Sequence, residues 1–470
     1  MYRTFRENYI NYFKEELNDY CSYRGQDKYI LRQNDDFEHN NNLAAYVGCI
    51  SPDEDHSGVY SDLSIVIFPS NEADDQDDRW LIALIVGSAG FKNDFELASL
   101  PGTRRVFINC LKNTNSFIKS NFTDIDSKDS ISDYVSFLPQ ALKTSIDKYG
   151  RYILAASIIN PNQEQATKNT IELYIAIYSN IKNMQIRSPI QKRREILLSP
   201  NHVKTNEEQI IRTLLKNRKY IVLQGAPGTG KTRMAKKIVE DECPVFFTQF
   251  HAETSYSDFV YGILPDVTKD QLLYRTNEGI FVKAIREALK SENNVYLIID
   301  EINRANLSNV LGSAFYLFEP NMDIGNIEIS ICPSLSLKSL PENLYVIATM
   351  NTADRSIAVV DFALRRRFAW YTLYPHVIQD LDDDLFFCMD EFNKIASIFR
   401  RYASDEELNL QPGHAYFIVS RENKDDRMKE RLKYELMPLI KEYILDGMLL
   451  RAKDEFMTFF RETIHEEMFQ

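Results

Sequence analysis

No run of eighteen consecutive apolar residues occurs in these 470 residues, so the sequence offers no membrane-spanning helix. The opening residues, MYRTFRENYINYFKEEL, are charged throughout and lack the apolar centre of a secretory signal. Cysteine is sparse: six residues, at 21, 49, 110, 243, 332 and 388, with no CxxC pair and no metal-ligand spacing. They read as free thiols of a reducing, cytoplasmic protein. The seven histidines are equally dispersed, without HExxH or a comparable cluster, which argues against a structural zinc. Internal repeats and low-complexity tracts are absent too. Nor is there a basic excess, because 55 Lys and Arg stand against 68 Asp and Glu, for a net charge of −13. The first 190 residues carry 19 basic and 26 acidic side chains, so neither part is a general glove for a polyanion. Nucleic-acid binding would need a local basic face.

What is present suffices for large cores: 44% of residues are hydrophobic and 12% aromatic, and the length suggests two or three domains. Residues 1–190 read as an α+β recognition domain of unassigned specificity. "TFRENYINYFKEEL" has helical spacing, "SDLSIVIFPS" and "RWLIALIVGSAG" read as strands, and "RRVFINCL" suits either. "GRYILAASIIN" looks like a strand ended by Asn160-Pro161, and "NTIELYIAIYSNIKNM" like the helix after it. Two Ser-Pro pairs and the basic run Lys192-Arg193-Arg194 mark 191–209 as a linker. Strands and helices then alternate through 210–375, the pattern of a parallel sheet with covering helices. Residues 376–470 read as a helical lid, with "RLKYELMPLIKEYIL" strongly amphipathic. The short acidic clusters Asp53 to Asp55, Asp74 to Asp78 and Asp382 to Asp384 read as solvated loops.

"YIVLQGAPGTGKTRMAKKIVE" holds the densest chemistry. An apolar strand leads into Gly225, Ala226, Pro227, Gly228, Thr229 and Gly230, and Lys231-Thr232 open a helix. Glycines let the backbone curl until consecutive N–H groups face phosphate oxygens, and the helix start adds its positive end. Lys231 can reach the terminal phosphates, and the Thr232 hydroxyl can bind Mg²⁺. "NVYLIIDEINRA" ends a strand in Asp300-Glu301, at the edge where parallel sheets hold ligands. Asp300 can share the Mg²⁺ shell, and Glu301 can accept a proton from an attacking water. "ENLYVIATMN" supplies a third strand that brings Asn351 to the same edge, where a neutral amide can orient that water. Three arginines, Arg365 to Arg367, follow on a short helix. Guanidiniums fan around a helix, so at least one can point outward to a neighbouring subunit's nucleotide. The bland alternative is a helix end with cations on its C-terminal dipole.

"LQGAPGTGKT", "TQFHAETSYSDFVYG", "LIIDEINRANLSNVLG", "MNTADRSIAVVDFALRRRF", "PGHAYF" and "LMPLIKEYILD" together resemble the McrB-type AAA+ NTPases, motor subunits of modification-dependent restriction systems. The first and third motifs are common to most AAA+ proteins; the MNTADRS and LRRRF pair and the QFH segment are narrower. The resemblance implies an α/β AAA+ P-loop sheet with a C-terminal helical lid, and hexameric rings with nucleotide between subunits. It implies GTP used in preference to ATP, and a separately encoded McrC-type nuclease partner that stimulates hydrolysis and shares in the restriction of foreign or modified DNA. By motif position, Lys231, Thr232, Asp300, Glu301 and Asn351 take the roles above. Asp354 and Arg355 fall in the sensor loop, Arg366 and Arg367 become the interface arginines, and His414 lies in the lid segment that faces nucleotide. Tyr256 and Phe259 read as packing residues, and His251 as a structural histidine, with contact to nucleotide or a neighbouring subunit as its alternative. Two other readings stay open: an ATP-dependent protein-remodelling machine, and a nucleotide-gated sensor acting through its N-terminal domain.

The resemblance stops short of residues 1–190, where DNA is the expected ligand. Trp80 reads as core, with a binding surface as the alternative. Arg104, Arg105, Lys112 and Lys119 lie in a stretch free of acids, within which "PGTRRVF" could meet phosphates, with a solvated basic face as the alternative. Asp62 could begin a metal-dependent nuclease motif, but no Glu-x-Lys follows it, which favours a nuclease on another chain.

Overall fold

The computed structural model describes residues 2–21, 29–34, 45–52, 59–69, 79–112, 114–126, 131, 142–184, 186–198, 207–266, 273–319, 328–353 and 362–469. It forms two compact units, Met1–Val203 and Lys204–Gln470.

In the first unit, six strands pair antiparallel in the order Ile30–Asn34, Tyr46–Ile50, Leu63–Phe68, Trp80–Val86, Ile153–Ile159 and Ser116–Ile118. Leu63–Phe68 and Trp80–Val86 are buried along their whole length, the signature of strands covered on both faces rather than alternating with solvent. Ile65, Ile67, Ile82 and Leu84 face a core shared with helices Tyr2–Cys21 and Glu164–Ile181. Val66, Phe68, Leu81 and Ala83 face the other way, onto Leu142 and Ile146. Trp80 is core, 4% exposed and edge-on to Tyr9 at 5.7 Å. "RRVFINCL" resolves as helix Pro101–Leu111, with proline in its first turn where the missing N–H costs nothing.

The basic run behaves differently from a connector. Ser188–Leu198 is a helix, and Arg193 bonds the carboxylates of Glu172 and Glu16, so this helix is fastened to the first unit. Asp62 also has a structural task. Its Oδ1 accepts the backbone N–H groups of Lys92, Asn93 and Asp94 at 2.7, 2.7 and 2.9 Å. Burial pushes its pKa up, but these amides and Lys182 outweigh that and hold it below the usual carboxylate value.

In the second unit, five parallel strands lie in the order Ala369–Thr372, Tyr220–Gly225, Leu344–Asn351, Val295–Asp300 and Val245–Gln249. Leu297 and Ile299 point to the side of helix Ile280–Lys290. Tyr296 and Ile298 point to the side of helices Glu207–Arg218 and Lys231–Lys237. Burial is nearly continuous along the inner strands and relaxes at Asp300 and Asn351, where they end. A separate apolar core runs from Phe387 to Met468 and gathers helices Met389–Tyr402, Lys424–Arg431, Met437–Leu445 and Lys453–Ile464. Asp382, Asp383 and Asp384 are exposed in the turn leading into it; the other two acidic clusters lie outside the described residues. Among the described residues, no helix is long and apolar enough to cross a membrane. All six cysteines are free.

Candidate active site

The register of the sheet assembles the site. Asn351 lies opposite Gly225, and the adjoining strand ends at Asp300, so three strands deliver the glycine loop, the acidic pair and the amide to one edge. Parallel pairing makes this possible, since it sends every strand's C-terminal end the same way.

The loop from Gly225 to Gly230 is shaped partly from outside. Gly413 N–H donates to the carbonyl of Pro227 at 2.8 Å, and Ala415 N–H to that of Gly228 at 3.0 Å. A trans peptide points its carbonyl and its amide in opposite directions. Anchoring the Pro227 carbonyl to the lid therefore turns the Gly228 N–H to the side away from it. Gly228 sits at φ +77°, where a side chain would be strained, and a Cβ there would come within 2.9 Å of the Tyr416 ring. The helix beginning at Lys231 leaves its first amides without partners inside the helix.

Lys231 is 8% exposed, and its Nζ donates to the carbonyls of Gly225 (3.0 Å) and Ala226 (2.9 Å). Burial pushes its pKa down against the opposing pull of Glu301 and Asp300. Thr232 Oγ1 donates to Asp300 Oδ1 at 2.8 Å, and Thr349 Oγ1 donates to the same oxygen at 2.6 Å. The Thr349 hydroxyl also accepts the N–H of Glu301 at 3.1 Å. Glu301 itself takes a left-handed backbone at φ +55°, and its carboxylate meets Arg304 at 3.4 Å. Asn351 Oδ1 accepts the N–H of Ala353 at 3.2 Å, while Asn303 reaches its carbonyl at 3.4 Å.

Lysine, two hydroxyls, two carboxylates and a terminal amide thus converge on one loop, the donor set of a nucleoside-triphosphate site. The Thr232–Asp300 pair is a hard-oxygen set. Mg²⁺ bound to a nucleotide asks a protein for one or two such groups and fills the rest with phosphate oxygens and water, so the residues present fit that ion.

His414 lies beside Gly230, whose added Cβ would sit 3.4 Å from its Nε2. Its ring centroid is 4.5 Å from that of His376. Burial first, then His376 and Arg233, lower its pKa to about 4, so it is neutral at pH 7 and its Nδ1 is a buried atom without a hydrogen-bond partner. Phe259 is core, and Tyr256 donates its hydroxyl to the Ile331 carbonyl at 2.9 Å. The His251 side chain is exposed. Asp354 and Arg355 lie outside the described residues.

The arginine helix Phe362–Arg367 brings a correction. Arg367 is not an outward-reaching group: it is 5% exposed, pairs with Glu319 at 2.7 Å and lies over the Phe315 ring at 4.0 Å. Helical fanning sent it inward. Arg366, with its side chain 63% exposed, faces outward; Arg365 is exposed as well and lies over the Trp370 ring at 5.3 Å. Thr349, Arg304, His376 and Glu319 were missed in the sequence. Only Thr349 left a signal, because it shares a strand face with Asn351 two residues on.

Residues 220–368 match the AAA domain family, dynein-related subfamily. The chain is 33% identical over 274 residues to the Type IV methyl-directed restriction enzyme EcoKMcrB subunit of Escherichia coli (strain K12), an alignment covering 51% of this chain and 57% of that protein. It is 28% identical over 202 residues to the Type II restriction enzyme BsuMI component YdiS of Bacillus subtilis (strain 168), covering 34% of this chain and 58% of that protein. The chain thus spans less than two thirds of either relative. The glycine loop, the acidic strand end and the amide strand lie within the matched segment, on the sheet order that positions them: residues 220–368 form an AAA domain, and over about half its length the chain is similar to the McrB subunit.

Proposed function

We propose that this chain is a ring-forming nucleoside triphosphatase that prefers GTP and powers DNA translocation for a separately encoded McrC-type nuclease in the restriction of foreign or modified DNA. The observation that carries the hydrolytic part is the Thr232–Asp300 contact at 2.8 Å, with Lys231 and Glu301 on either side of it. In this reading Lys231 exchanges two neutral carbonyl acceptors for phosphate oxygens, which are charged and therefore stronger. Thr232 and Asp300 hold Mg²⁺, which when bound neutralises phosphate charge. Glu301 takes the proton of the attacking water, and Asn351 holds that water in line. Glu301 must leave Arg304 to do so.

The restriction role draws on the printed names of the two relatives, a methyl-directed restriction enzyme subunit and a restriction enzyme component. The preference for GTP, the hexamer and the nuclease partner follow from the sequence resemblance. DNA contact is assigned to the first unit, though not to Lys119. Lys119 there is 1% exposed with its Nζ on the carbonyls of Ile125 and Arg151, and Arg104 bonds the Lys119 carbonyl.

Steady-state phosphate release with GTP and with ATP, each with and without duplex DNA and the nuclease encoded beside it, tests the proposal. GTP hydrolysis raised by the nuclease is the expected result. ATP hydrolysis indifferent to both additions would instead make the chain a protein-remodelling machine.

A further inference from the structure

One carboxylate oxygen organises the arginine cluster. Glu319 Oε2 accepts from Arg366 at 2.9 Å and from Arg367 at 2.7 Å. The Glu319 side chain is 15% exposed, Arg367 is buried and Arg366 is in solvent, so the bridge runs from the core to the surface. Its footing is rigid. Phe318 is fully buried and stacks on Phe368 at 5.4 Å with 22° between the rings. Those phenylalanines immediately follow or precede the ionic groups in sequence, so the stack fixes Glu319 against Arg367. Phe315, one turn earlier, lies under the Arg367 guanidinium. Two cations sharing one oxygen would repel each other without the carboxylate between them, and the long Arg366 side chain would then sample many rotamers.

We propose that Glu319 is a positioning residue for hydrolysis in trans: with Arg367 as its buried post, it presents the Arg366 guanidinium to the terminal phosphates of a nucleotide held by an adjacent copy of this chain. The inference rests on the ring reading above and deepens it. Arg367 supplies the anchor and Arg366 the phosphate contact, so the two adjacent arginines have different tasks. A guanidinium already held by a carboxylate loses less freedom when it meets phosphate than one recruited from solvent.

The test uses the full chain with GTP titrated to saturation in excess Mg²⁺, following kcat, KM and assembled mass by light scattering, with thermal melts alongside. Arg366→Ala should lower kcat by about 10³-fold, the lower end for a phosphate-stabilising arginine. Glu319→Gln should lower kcat about 10- to 100-fold with KM and assembled mass nearly unchanged, and Glu319→Asp should recover part of it. The double variant is decisive: it should be no slower than Arg366→Ala alone, so that on the Glu319→Gln background Arg366→Ala costs only about 10- to 100-fold further, because Glu319 acts through the arginine already removed. Additive losses, or losses that track the melting temperature and the assembled mass, would make Glu319 a fold post only and overturn the proposal. A separate arm checks its footing. Mixing Lys231→Ala with Arg366→Ala chains should regain activity, since each supplies what the other lacks. No regain would refute the shared site, and the inference with it. Regain together with a silent Glu319→Gln would refute the inference alone.

Discussion

Gly413→Ala isolates the contact between the lid and the phosphate loop. The glycine has an ordinary backbone, φ −69°, so alanine introduces no torsional strain and its effect is purely steric. The added Cβ would lie 2.0 Å from the Gly228 carbonyl carbon, 2.2 Å from its oxygen and 2.3 Å from the Thr229 nitrogen. All three are backbone atoms that no rotamer change can clear. The lid segment must draw back by roughly 1 Å or more to reach ordinary contact. That breaks the hydrogen bonds from Gly413 to Pro227 and from Ala415 to Gly228, worth about 1 kcal/mol each, and adds about 1–3 kcal/mol of overpacking strain. The total is about 3–5 kcal/mol. At roughly 2–4 °C per kcal/mol for a unit of this size, the second unit's calorimetric transition should fall by about 10 °C. The affinity for a fluorescent nucleotide should weaken at least tenfold, because the loop loses its outer anchor. Gly90→Ala in the first unit is the control. Its Cβ meets nothing within 4 Å, and only its φ of +80° is unfavourable, so a loss of about 1–2 kcal/mol confined to the first transition is expected. If Gly413→Ala changes neither transition temperature nor nucleotide affinity beyond what Gly90→Ala does, the lid does not shape the loop.

Three further outcomes follow from the geometry. Thr349→Val keeps the shape but removes the hydroxyl that bridges Asp300 and the Glu301 N–H; a cost of about 1–3 kcal/mol in unfolding free energy and a fall in kcat are expected by denaturation and phosphate release. Asp62→Asn removes the charge that three backbone amides bind, and chemical denaturation should show the first unit about 2–4 kcal/mol weaker. Because the native Asp62 pKa lies below its usual value, that contribution is present above the unfolded pKa near 3.9 and is lost as pH falls through the native value. His414, with a native pKa of about 4 against about 6.5 unfolded, works in a different window. The unfolded chain takes up the proton first, so the second unit should lose stability as pH falls from 6.5 towards 4, by up to about 3 kcal/mol. His414→Gln should flatten that segment of a calorimetric pH series.

The phosphate loop, the acidic strand end and the amide strand could be read in the sequence because each is short and local. A run of apolar residues fixes a strand, and its last residue then falls at the sheet edge. The helices Tyr2–Cys21 and Glu164–Ile181 and the strands Leu63–Phe68 and Trp80–Val86 were legible for the same reason. What escaped depends on partners far along the chain. Arg367 meets Glu319, 48 residues away, and whether a helical arginine faces in or out is decided by the surface it packs on. Arg193 sat in a run that looked like a linker until Glu16 and Glu172 were placed beside it. Lys119 falls in an acid-free basic stretch, and nothing local marked it as buried. The neighbours of the loop on the lid, Gly413 and His414, carried no sequence-level sign of where they would land beyond the family motif.

Glu301→Gln offers the sharpest test of the hydrolytic site. The change removes the proposed proton acceptor and keeps the size, leaving the Lys231 loop and the Thr232–Asp300 pair untouched. Single-turnover hydrolysis of bound GTP should slow by at least about 10²-fold, while nucleotide binds as tightly as to the unaltered chain. Hydrolysis at the normal rate with normal binding would contradict the assignment of Glu301, and with it the chemistry built around this sheet edge.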